Sequence, residues 1–500
     1  MKILCLGNNT QDTDTKTRRL AQAHGAQCHG LLSELSDPIT PHLISGTGYY
    51  HSSVYDIEFG RLVEVAGEFD KVIILDQTKD EYSHPDAFYK TIKLAKQIKH
   101  TVEVEYIDAS YATNIDFFEN LVQENKSFCI FPFIELLVNN KSTTVCCRSS
   151  TPVTRLDELK DFATDPRYQA IRHSMLSGEL VPAHCSSCYR LEQRGITSAR
   201  QQETVEWANR LNLASLEDLS NIRNPAYYEV RPSNVCNLQC RMCNPASSHL
   251  IAAEYKKLNF SPDLDRTLEY TNFDFVDFTN LKKLYVAGGE PTAMPEFYDF
   301  LDQCIASGNT DFEFVVNTNA TKINSRFQRQ LQHFSNFQFI VSIDGVGDLN
   351  HYIRWPSTWD TIVDNVRLLT QLGHVVSFNT AVTIYNVSRL HDLLSFFDRE
   401  FPGRLVHCAP SPADEVHDPF NFPNAELVLP QLQKITELRC YKNSTLLASL
   451  IDKLTMHYTQ VHQVDQIKLK DFFKFNDALD QSRRIKLIDY ISELELARPN

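Results

Sequence analysis

The feature that most constrains the fold of this sequence is an alternation of strand-like and helical segments between residues 227 and 408. Amphipathic segments such as 296–306 and 359–372 predict helices, and strand, helix, strand order favours a parallel sheet. The pattern predicts a parallel barrel or partial barrel, with functional side chains at the carboxyl ends of its strands. Runs of β-branched and aromatic residues predict these strands at 227–230, 282–286, 312–317, 337–343, 375–382 and 405–408.

Three cysteines follow the first predicted strand. Cys236, Cys240 and Cys243 have the spacing CxxxCxxC. Three thiols on one loop can cover a corner of a small inorganic cluster, but they leave a tetrahedral zinc ion one ligand short. The alternatives are part of a zinc site and a chance clustering of buried thiols, so the neighbouring strand ends must decide.

Short polar motifs follow the next three predicted strands. The GGEP segment 288–291 has two glycines, which let the backbone approach a ligand closely, and a carboxylate, which suits an ammonium group. A tight turn between strand and helix would explain the glycines but not the acid. The NTN motif at 317–319 ends the third strand, and SIDG at 342–345 ends the fourth. The cysteines and these motifs in this order are far more specific than any one of them.

This order of motifs resembles the radical SAM superfamily. The resemblance implies an α/β protein with a partial (β/α)6 TIM-like barrel, in which Cys236, Cys240 and Cys243 hold a [4Fe-4S] cluster and leave one iron open. In that family S-adenosyl-L-methionine (SAM) binds the open iron, and an electron from the cluster cleaves it to a 5′-deoxyadenosyl radical. The resemblance therefore implies an oxidoreductase-like enzyme that takes electrons from a donor such as flavodoxin or ferredoxin.

The resemblance also implies roles for individual residues. The GGEP segment would contact the SAM amino group, and the two later motifs would line the SAM and substrate cavity. Met242 replaces the usual aromatic residue and can still pack on adenine. Arg354 would pair with the SAM carboxylate or with substrate, and an exposed arginine is the alternative. The expected cofactor-binding residues are Met242, Gly288, Gly289, Glu290, Pro291, Asn317, Asn319, Ser342, Asp344, Arg354 and Asn379.

A further thiol, Cys408, ends the sixth predicted strand. Some related epimerases use a thiol there or nearby to return a hydrogen atom, so Cys408 is a candidate catalytic hydrogen-atom donor. A buried structural thiol is the favoured alternative, because free cysteine often belongs to the core.

A second group of cysteines precedes the barrel. Segments 128–137 and 141–147 predict a hairpin, and a helix at 156–176 would return the chain to Cys185 and Cys188. The arrangement resembles the Twitch module, a shorter relative of the SPASM domain that holds an auxiliary [4Fe-4S] cluster. Its position before the barrel and its adjacent cysteine pair depart from the commonest pattern. Four thiolates also suit zinc, whereas two four-iron clusters would give roughly eight irons per chain. The candidate ligands are Cys129, Cys146 or Cys147, Cys185 and Cys188.

The sequence predicts a division into domains. The predicted domains are a small Rossmann-like α/β domain of unknown function at 1–110, a Twitch-like module at 111–215, the barrel at 216–410 and a helical extension at 411–500. In the first domain we expect strands at 3–6, 71–75 and 102–107 and a helix at 85–98. In the extension we expect a helix at 469–494 with a solvated polar face that carries Asp477, Asp480, Arg483 and Arg484.

Composition excludes several classes of protein. A formal charge of −14 argues against broad binding to nucleic acid. No run approaches the roughly 18 apolar residues of a membrane span, and the four apolar residues near the amino terminus are too few for a signal peptide. These features predict a cytoplasmic protein. Thirteen cysteines, an odd number in a reducing compartment, are unlike a disulfide framework.

The sequence leaves the substrate open. We expect modification of a peptide or protein, because the extra domains give a large surface. The alternatives are radical oxidation or epimerisation of a sugar, nucleoside or amine, and a noncatalytic iron-sulfur or zinc scaffold. Formation of 5′-deoxyadenosine from SAM would separate the enzyme from the scaffold.

Overall fold

The structure of the protein is a computed structural model. It describes residues 2–7, 27–31, 48–53, 71–74, 103–106, 110–193, 197–260, 267–410, 415–442 and 444–499. The predicted helix at 85–98 lies outside these residues. The strands are β1 (Lys2–Gly7), β2 (Gln27–Leu31), β3 (Gly48–Ser53), β4 (Lys71–Ile74), β5 (Glu103–Tyr106), β6 (Glu135–Asn139), β7 (Ser142–Thr144), β8 (Thr154–Arg155), β9 (Tyr227–Arg231), β10 (Gln239–Cys240), β11 (Lys283–Val286), β12 (Glu313–Thr318), β13 (Phe337–Ser342), β14 (Arg354–Trp355), β15 (Val375–Val382) and β16 (Val406–Pro410).

Helices connect most of these strands. Among the described residues, none of the helices is long and apolar enough to cross a membrane. The α-helices are Ser110–Glu124, Phe131–Ile134, Pro166–Leu176, Pro182–Gln193, Ala199–Arg210, Leu216–Ser220, His249–Lys257, Pro295–Ser307, Ser325–Leu331, Asp348–Ile353, Trp359–Gln371, Leu390–Glu400, Ala425–Ile435, Arg439–Lys442, Thr445–Met456, Gln466–Arg483 and Ser492–Glu495.

The chain forms two compact units, which differ from the predicted domains. The first unit comprises Met1–Ile130, His173–Pro182 and Ser186–Asn221, and the second comprises Phe131–Arg172, Ala183–Cys185 and Ile222–Asn500. The first unit contains a parallel sheet with the strand order β2-β3-β1-β4-β5. The strands predicted at 3–6, 71–75 and 102–107 are present in it as β1, β4 and β5.

The second unit contains the sheet that the strand and helix alternation predicts. Its order is β16-β15-β13-β12-β11-β9-β6-β7-β8, and the pairs from β16 through β6 are parallel. The six strands predicted between 227 and 408 are all present, in sequential order across the sheet. This order is the one that an open βα barrel requires, and it places all six carboxyl ends on the same edge.

The hairpin of β6 and β7 continues this sheet. β6 pairs with β9 in register from Glu135 and Tyr227 to Asn139 and Arg231. The first four residues of β6 are buried, so the strand needs a covered position, which the edge of β9 provides. The hairpin that the sequence placed in a separate module therefore shares a sheet with the predicted barrel strands.

Alternate residues of the large sheet form its core. Along β15 every second side chain is buried, Phe378 among them. The buried face packs on the helices through aromatic rings, with centroids 6.1 Å apart for Phe297 and Phe314 and 4.1 Å apart for Phe378 and Phe397. The opposite face is more polar, because Glu229 and Arg231 alternate with the apolar Tyr228 and Val230. One face is therefore an apolar core and the other can line a polar cavity.

Local chemistry explains two differences from the predicted elements. Residues 128–137 contain a short helix before β6, since Pro132 cannot donate to a strand ladder but is tolerated in a first helical turn. The helix predicted at 156–176 begins at Pro166 instead. The carboxylate of Asp165 accepts hydrogen bonds from the backbone N–H groups of Arg167 (2.9 Å) and Tyr168 (3.3 Å), which start the helix there.

The helix Gln466–Arg483, which we call the clamp helix, corrects part of the prediction of a solvated face at 469–494: Asp477 and Arg484 are exposed, but Asp480 and Arg483 are not. It begins where Asp465 accepts from two backbone N–H groups and ends at Arg484, which has a left-handed φ of 59°. Asp480 and Arg483 are each only 8% exposed, so the expectation that they are solvated is wrong. They lie on the helix's buried stripe, and only a partner inside the protein can stabilise such charges.

Candidate functional site

The cysteine loop leads from β9 to the helix His249–Lys257. Cys236 donates its backbone N–H to Nδ1 of His249 (3.2 Å), and its sulfur accepts from the N–H of Leu238 (3.4 Å). The N–H of Cys243 donates to the carbonyl of Cys240 (3.0 Å). Backbone and ring contacts therefore shape most of the loop, and its three thiols are half-buried and in no disulfide.

Burial and neighbouring thiols raise the pKa values of Cys236 and Cys243. Burial raises the pKa of Cys236 well above its usual range, and the charges of Cys240 and Cys243 add to the effect. Burial likewise raises the pKa of Cys243 to about 12, with Cys240 adding to it. Since metal ligation needs thiolates, a metal bound here would have to displace the thiol protons.

The donor set decides which metal centre suits the loop. Within the described ranges, no three His, Cys, Asp or Glu side chains stand close enough to hold one metal ion. A four-iron cluster is larger than a single ion, so its thiolates lie farther apart than the ligands of a tetrahedral zinc. Three half-buried thiols on one loop fit a cluster that the protein ligates at three corners.

The GGEP segment lies against the start of the cysteine loop. Gly288 and Gly289 both have positive φ, 81° and 54°. A Cβ added to Gly289 would lie 2.1 Å from the carbonyl oxygen of Val235, and the N–H of Glu290 donates to that same oxygen (2.8 Å). Glycine is therefore required at 289 because two backbone segments touch there.

Replacing this glycine gives a testable prediction. Gly289→Ala should lower the free energy of unfolding by about 3 kcal/mol or more, since the methyl group meets backbone in addition to the left-handed strain. Gly373→Ala is the matched control: Gly373 has a φ of 85° but open space around its Cβ position, so strain alone should cost about 1–2 kcal/mol. Urea denaturation of both variants measures the difference, and equal losses would contradict the close contact.

Glu290 holds the neighbouring strand end. Its carboxylate is 1% exposed and accepts from the hydroxyl groups of Thr292 and Thr318 (both 2.7 Å) and from the N–H of Asn319 (2.6 Å). Burial raises the pKa of Glu290, while these hydrogen bonds oppose the shift. The carboxylate thus joins the GGEP and NTN segments, and its predicted contact with the SAM ammonium stays a prediction.

The asparagines of the NTN motif face two different partners. Asn319 donates its amide to the side-chain oxygen of Asn237 (2.9 Å), which lies inside the cysteine loop. Asn317 instead accepts from the hydroxyl group of Ser342 (3.1 Å) across the strand pair β12 and β13. The motif therefore links the cysteine loop to the end of the fourth barrel strand.

A buried ion pair lies beside the second cysteine. Nε of Arg354 contacts the carboxylate of Asp344 at 2.5 Å, and the two side chains are 13% and 0% exposed. Nη1 of Arg354 lies 3.9 Å from the sulfur of Cys240, its partner in the β10–β14 pairing. Burial acts to lower the pKa of Arg354, but Asp344 and the two nearby cysteine thiolates outweigh it and raise the pKa. The alternative of an exposed Arg354 is therefore wrong.

Strand alternation separates Asn379 from Cys408. Asn379 pairs with Ser342 in the register of β13 and β15 and shares its half-buried face. Cys408 pairs with the fully buried Thr380 on the opposite face, and burial raises its pKa to about 12. His407, beside Asn379 in the register, occupies the face predicted for the donor. This position favours the buried structural thiol.

Two further predicted residues lie within the motif segments. Met242 is in the cysteine loop and is half-buried, and Pro291 ends the GGEP segment and is buried.

The second cysteine group is distributed over several elements. Cys129 is buried just before the helix Phe131–Ile134, and Cys185 and Cys188 are buried three residues apart on the helix Pro182–Gln193. Cys146 is half-buried and Cys147 is exposed, so the choice between them stays open.

Sequence reasoning missed two residues that support the cysteine loop. Arg241, between two of the cysteines, is fully buried, and so is most of Glu254 on the helix after the loop. Both meet the clamp helix, more than 200 residues later. The signal in the sequence was the charge of Arg241 inside the cysteine motif. If such a motif is packed inside the protein, its charged residue needs a buried partner.

Comparisons with known proteins agree with this site. The family model of the radical SAM superfamily matches residues 230–397. Over 166 residues, 33% of this chain, the sequence is 25% identical to the mycofactocin maturase MftC of Mycobacterium ulcerans (strain Agy99) and to that of Mycobacterium tuberculosis (strain ATCC 25618 / H37Rv). The alignments cover 42% and 39% of these proteins. The chain therefore spans about two fifths of the length of the curated relatives it matches.

Solved structures show weaker similarity. SuiB of Streptococcus suis bound to S-adenosylmethionine has 15% identity and a TM-score of 0.27, over 60% of this chain and 57% of that chain. The methyltransferase TsrM of Kitasatospora setae, with cobalamin and a [4Fe-4S] cluster bound, has 9% identity and a TM-score of 0.27, over 82% and 74%. Such scores are too low to argue a shared fold. The family assignment depends on the family model and on the motifs it spans, and residues 230–397 of this chain are a radical SAM superfamily domain.

Proposed function

We propose that this protein is a radical SAM enzyme that reductively cleaves SAM and abstracts a hydrogen atom from a peptide or protein. The observation that carries the proposal is the cysteine loop, whose three free thiols are held among the GGEP, NTN and SIDG segments. A [4Fe-4S] cluster bound by Cys236, Cys240 and Cys243 would supply the electron that cleaves SAM. Ferredoxin or flavodoxin is the class of donor that we expect.

The residues around the loop would bind and orient SAM. Gly288 and Gly289 let backbone come close to the loop, so the carbonyl groups of this segment are candidates to accept from the SAM ammonium. Arg354 keeps donors beyond the Nε that faces Asp344 and is the candidate for the SAM carboxylate. Met242 would pack on adenine, and Asn379 would face the ribose.

The polar face of the sheet would hold the substrate. Asn317 and Ser342 join across neighbouring strands on this face, where they can hold one C–H bond close to the reactive carbon and limit side reactions with water. Most of the chain lies outside residues 230–397, and this additional surface favours a peptide or protein over a small substrate. The relatives' name, maturase, supports a maturation reaction.

A second cluster belongs to the same proposal. By the resemblance to the Twitch module, Cys129, one of Cys146 and Cys147, Cys185 and Cys188 would ligate an auxiliary [4Fe-4S] cluster. Four thiolates leave no open iron corner for SAM. Such a cluster would take an electron from the substrate radical or anchor the substrate.

The cleavage of SAM is directly testable. The protein, loaded with iron and sulfide under anaerobic conditions and reduced with dithionite, is expected to form 5′-deoxyadenosine from SAM without any substrate. Chromatography of the quenched mixture measures it, and samples without reductant or with S-adenosylhomocysteine are the controls. No 5′-deoxyadenosine from a protein with intact clusters would instead favour a noncatalytic scaffold.

A further inference from the structure

Arg241 is a buried cation between two of the cluster ligands. It follows Cys240 directly, and its side chain is fully buried. Its guanidinium donates to the carbonyl of Tyr352 through Nε (2.8 Å) and to Oδ1 of Asn476 through Nη1 (2.8 Å), and Nη2 meets the carboxylate of Asp480. The group also lies 3.5 Å from the ring centroid of Tyr352. These contacts hold the guanidinium from several directions.

Two of these partners come from the clamp helix and are themselves fixed. Asp480 accepts from the hydroxyl group of Tyr352 (3.2 Å) and from the backbone N–H of Leu487 (2.7 Å). Asn476, one turn earlier, accepts from the hydroxyl group of Tyr385 (2.8 Å) and donates to the carbonyl of Phe472 (2.8 Å). Because every partner is anchored elsewhere, the clamp helix can determine where Arg241 lies.

A second tie holds the other side of Cys240. Arg483 of the clamp helix donates from Nε (3.0 Å) and Nη2 (2.6 Å) to the two carboxylate oxygens of Glu254. The side chains are 2% and 4% exposed, and a bidentate pair of this kind has a narrowly defined geometry. Glu254 also accepts from the amide of Gln239 (3.3 Å), the residue before Cys240. The helix thus holds the neighbours of Cys240 on both sides.

We propose that the clamp helix positions the cluster-binding loop and that Asp480 neutralises the charge of Arg241 beside the cluster. This inference depends on the proposed function in assuming a cluster at the three cysteines. The helix lies beyond residue 397, where the match to the family model ends. Without Asp480, an uncompensated cation would remain buried on the residue that directly follows Cys240. Because reduction adds an electron to a cluster, a nearby positive charge stabilises the reduced state and raises its potential.

The charge is tested with Asp480→Asn in the cluster-loaded protein. The reduction potential of the SAM-binding cluster, followed by electron paramagnetic resonance in a redox titration, should shift to a more positive value. Asp477→Asn is the matched control on the same helix, because Asp477 pairs with Arg498 and its side chain is 56% exposed. Its potential should equal that of the wild type. An unchanged potential in Asp480→Asn would overturn the neutralising role.

The double variant Arg241→Gln/Asp480→Asn separates charge from position. The double variant leaves no uncompensated charge, so the reduction potential of its cluster should return towards the wild-type value. A merely structural role of Asp480 would not produce this return. In the iron-free double variant, amide hydrogen exchange across residues 236–243 should be at least about tenfold faster than in the iron-free wild type, since the loop has lost charged hydrogen bonds. Equal exchange rates would overturn the positioning role.

The two readouts also distinguish this inference from the proposed function. Faster loop exchange in a protein that forms no 5′-deoxyadenosine would support the clamp and count against the enzyme. If Asp480→Asn does not fold while the double variant does, the result supports neutralisation, because it shows that the buried cation requires its partner. If neither variant folds, iron-free Arg483→Gln replaces them, and unchanged exchange at residues 236–243 would overturn the clamp.

Discussion

Replacing Cys236, Cys240 and Cys243 together with alanine is expected to abolish the formation of 5′-deoxyadenosine. Each thiol would supply one bond to iron, so the triple variant leaves the loop without a protein ligand for the cluster. If both clusters are present, the iron content should fall from roughly eight to roughly four per chain, because the auxiliary ligands are untouched. Iron and sulfide analysis with product chromatography measures both effects.

A buried cysteine outside the motifs provides the control. Cys304 is 1% exposed on the helix Pro295–Ser307, and burial raises its pKa to about 12. Cys304→Ala should keep its iron and its product formation and lose about 1 kcal/mol of unfolding free energy. A triple variant that retained all iron and activity would contradict the proposed cluster. If the wild type contains four irons and the triple variant contains none, the result would support the proposed SAM-binding cluster and contradict the proposed auxiliary cluster.

The second large effect is expected for Asp344→Asn. This change leaves the Arg354 guanidinium buried without its carboxylate, and breaking a buried pair from one side typically costs about 3–5 kcal/mol. The amide can still accept from the N–H of Ala381, which Asp344 binds at 2.8 Å, so the loss reports mainly on the charge. Urea denaturation should therefore show a much lower midpoint with an unchanged slope.

Two further variants show whether the effect comes from the pair. Asp344→Asn/Arg354→Met removes both charges and should recover much of the lost stability, because apolar replacement of a whole buried pair is often tolerated. Asp364→Asn breaks the surface pair with Arg367, where the side chains are 73% and 48% exposed, and should cost less than about 1 kcal/mol. Similar losses in the buried and surface variants would refute the importance of burial.

The sequence predicted the sheet because periodicity is a local property. The strands predicted at 227–230, 337–343 and 375–382 appear within one or two residues of those bounds. Their order follows from chain connectivity, since short helical crossovers make sequential strands neighbours. The motifs at their carboxyl ends were predictable for the same reason, because parallel strands bring those ends to one edge.

Tertiary contacts overrode local patterns in other places. A strand over 128–137 was a reasonable expectation, but the buried β6 needed the edge of β9 and Pro132 favoured a helical turn before it. Cys408 was predicted to end the sixth strand, but β16 continues to Pro410, and the register of β15 and β16 turns Cys408 to the apolar side. A shift of one residue in a strand reverses the face of every side chain, and a sequence pattern does not resolve such a shift.

From the amino-acid order alone came the alternating elements, the three-thiol motif and the order of the strand-end segments, all of which depend on residues close together in the chain. The folded structure decided that Arg354 pairs with Asp344, that Glu290 faces inward, and that the clamp helix reaches Arg241. These pairings join residues up to 239 positions apart, and a charged side chain looks the same in a sequence whether it meets water or a distant partner. Burial creates the need for each partner, and only the packed chain shows which groups are buried.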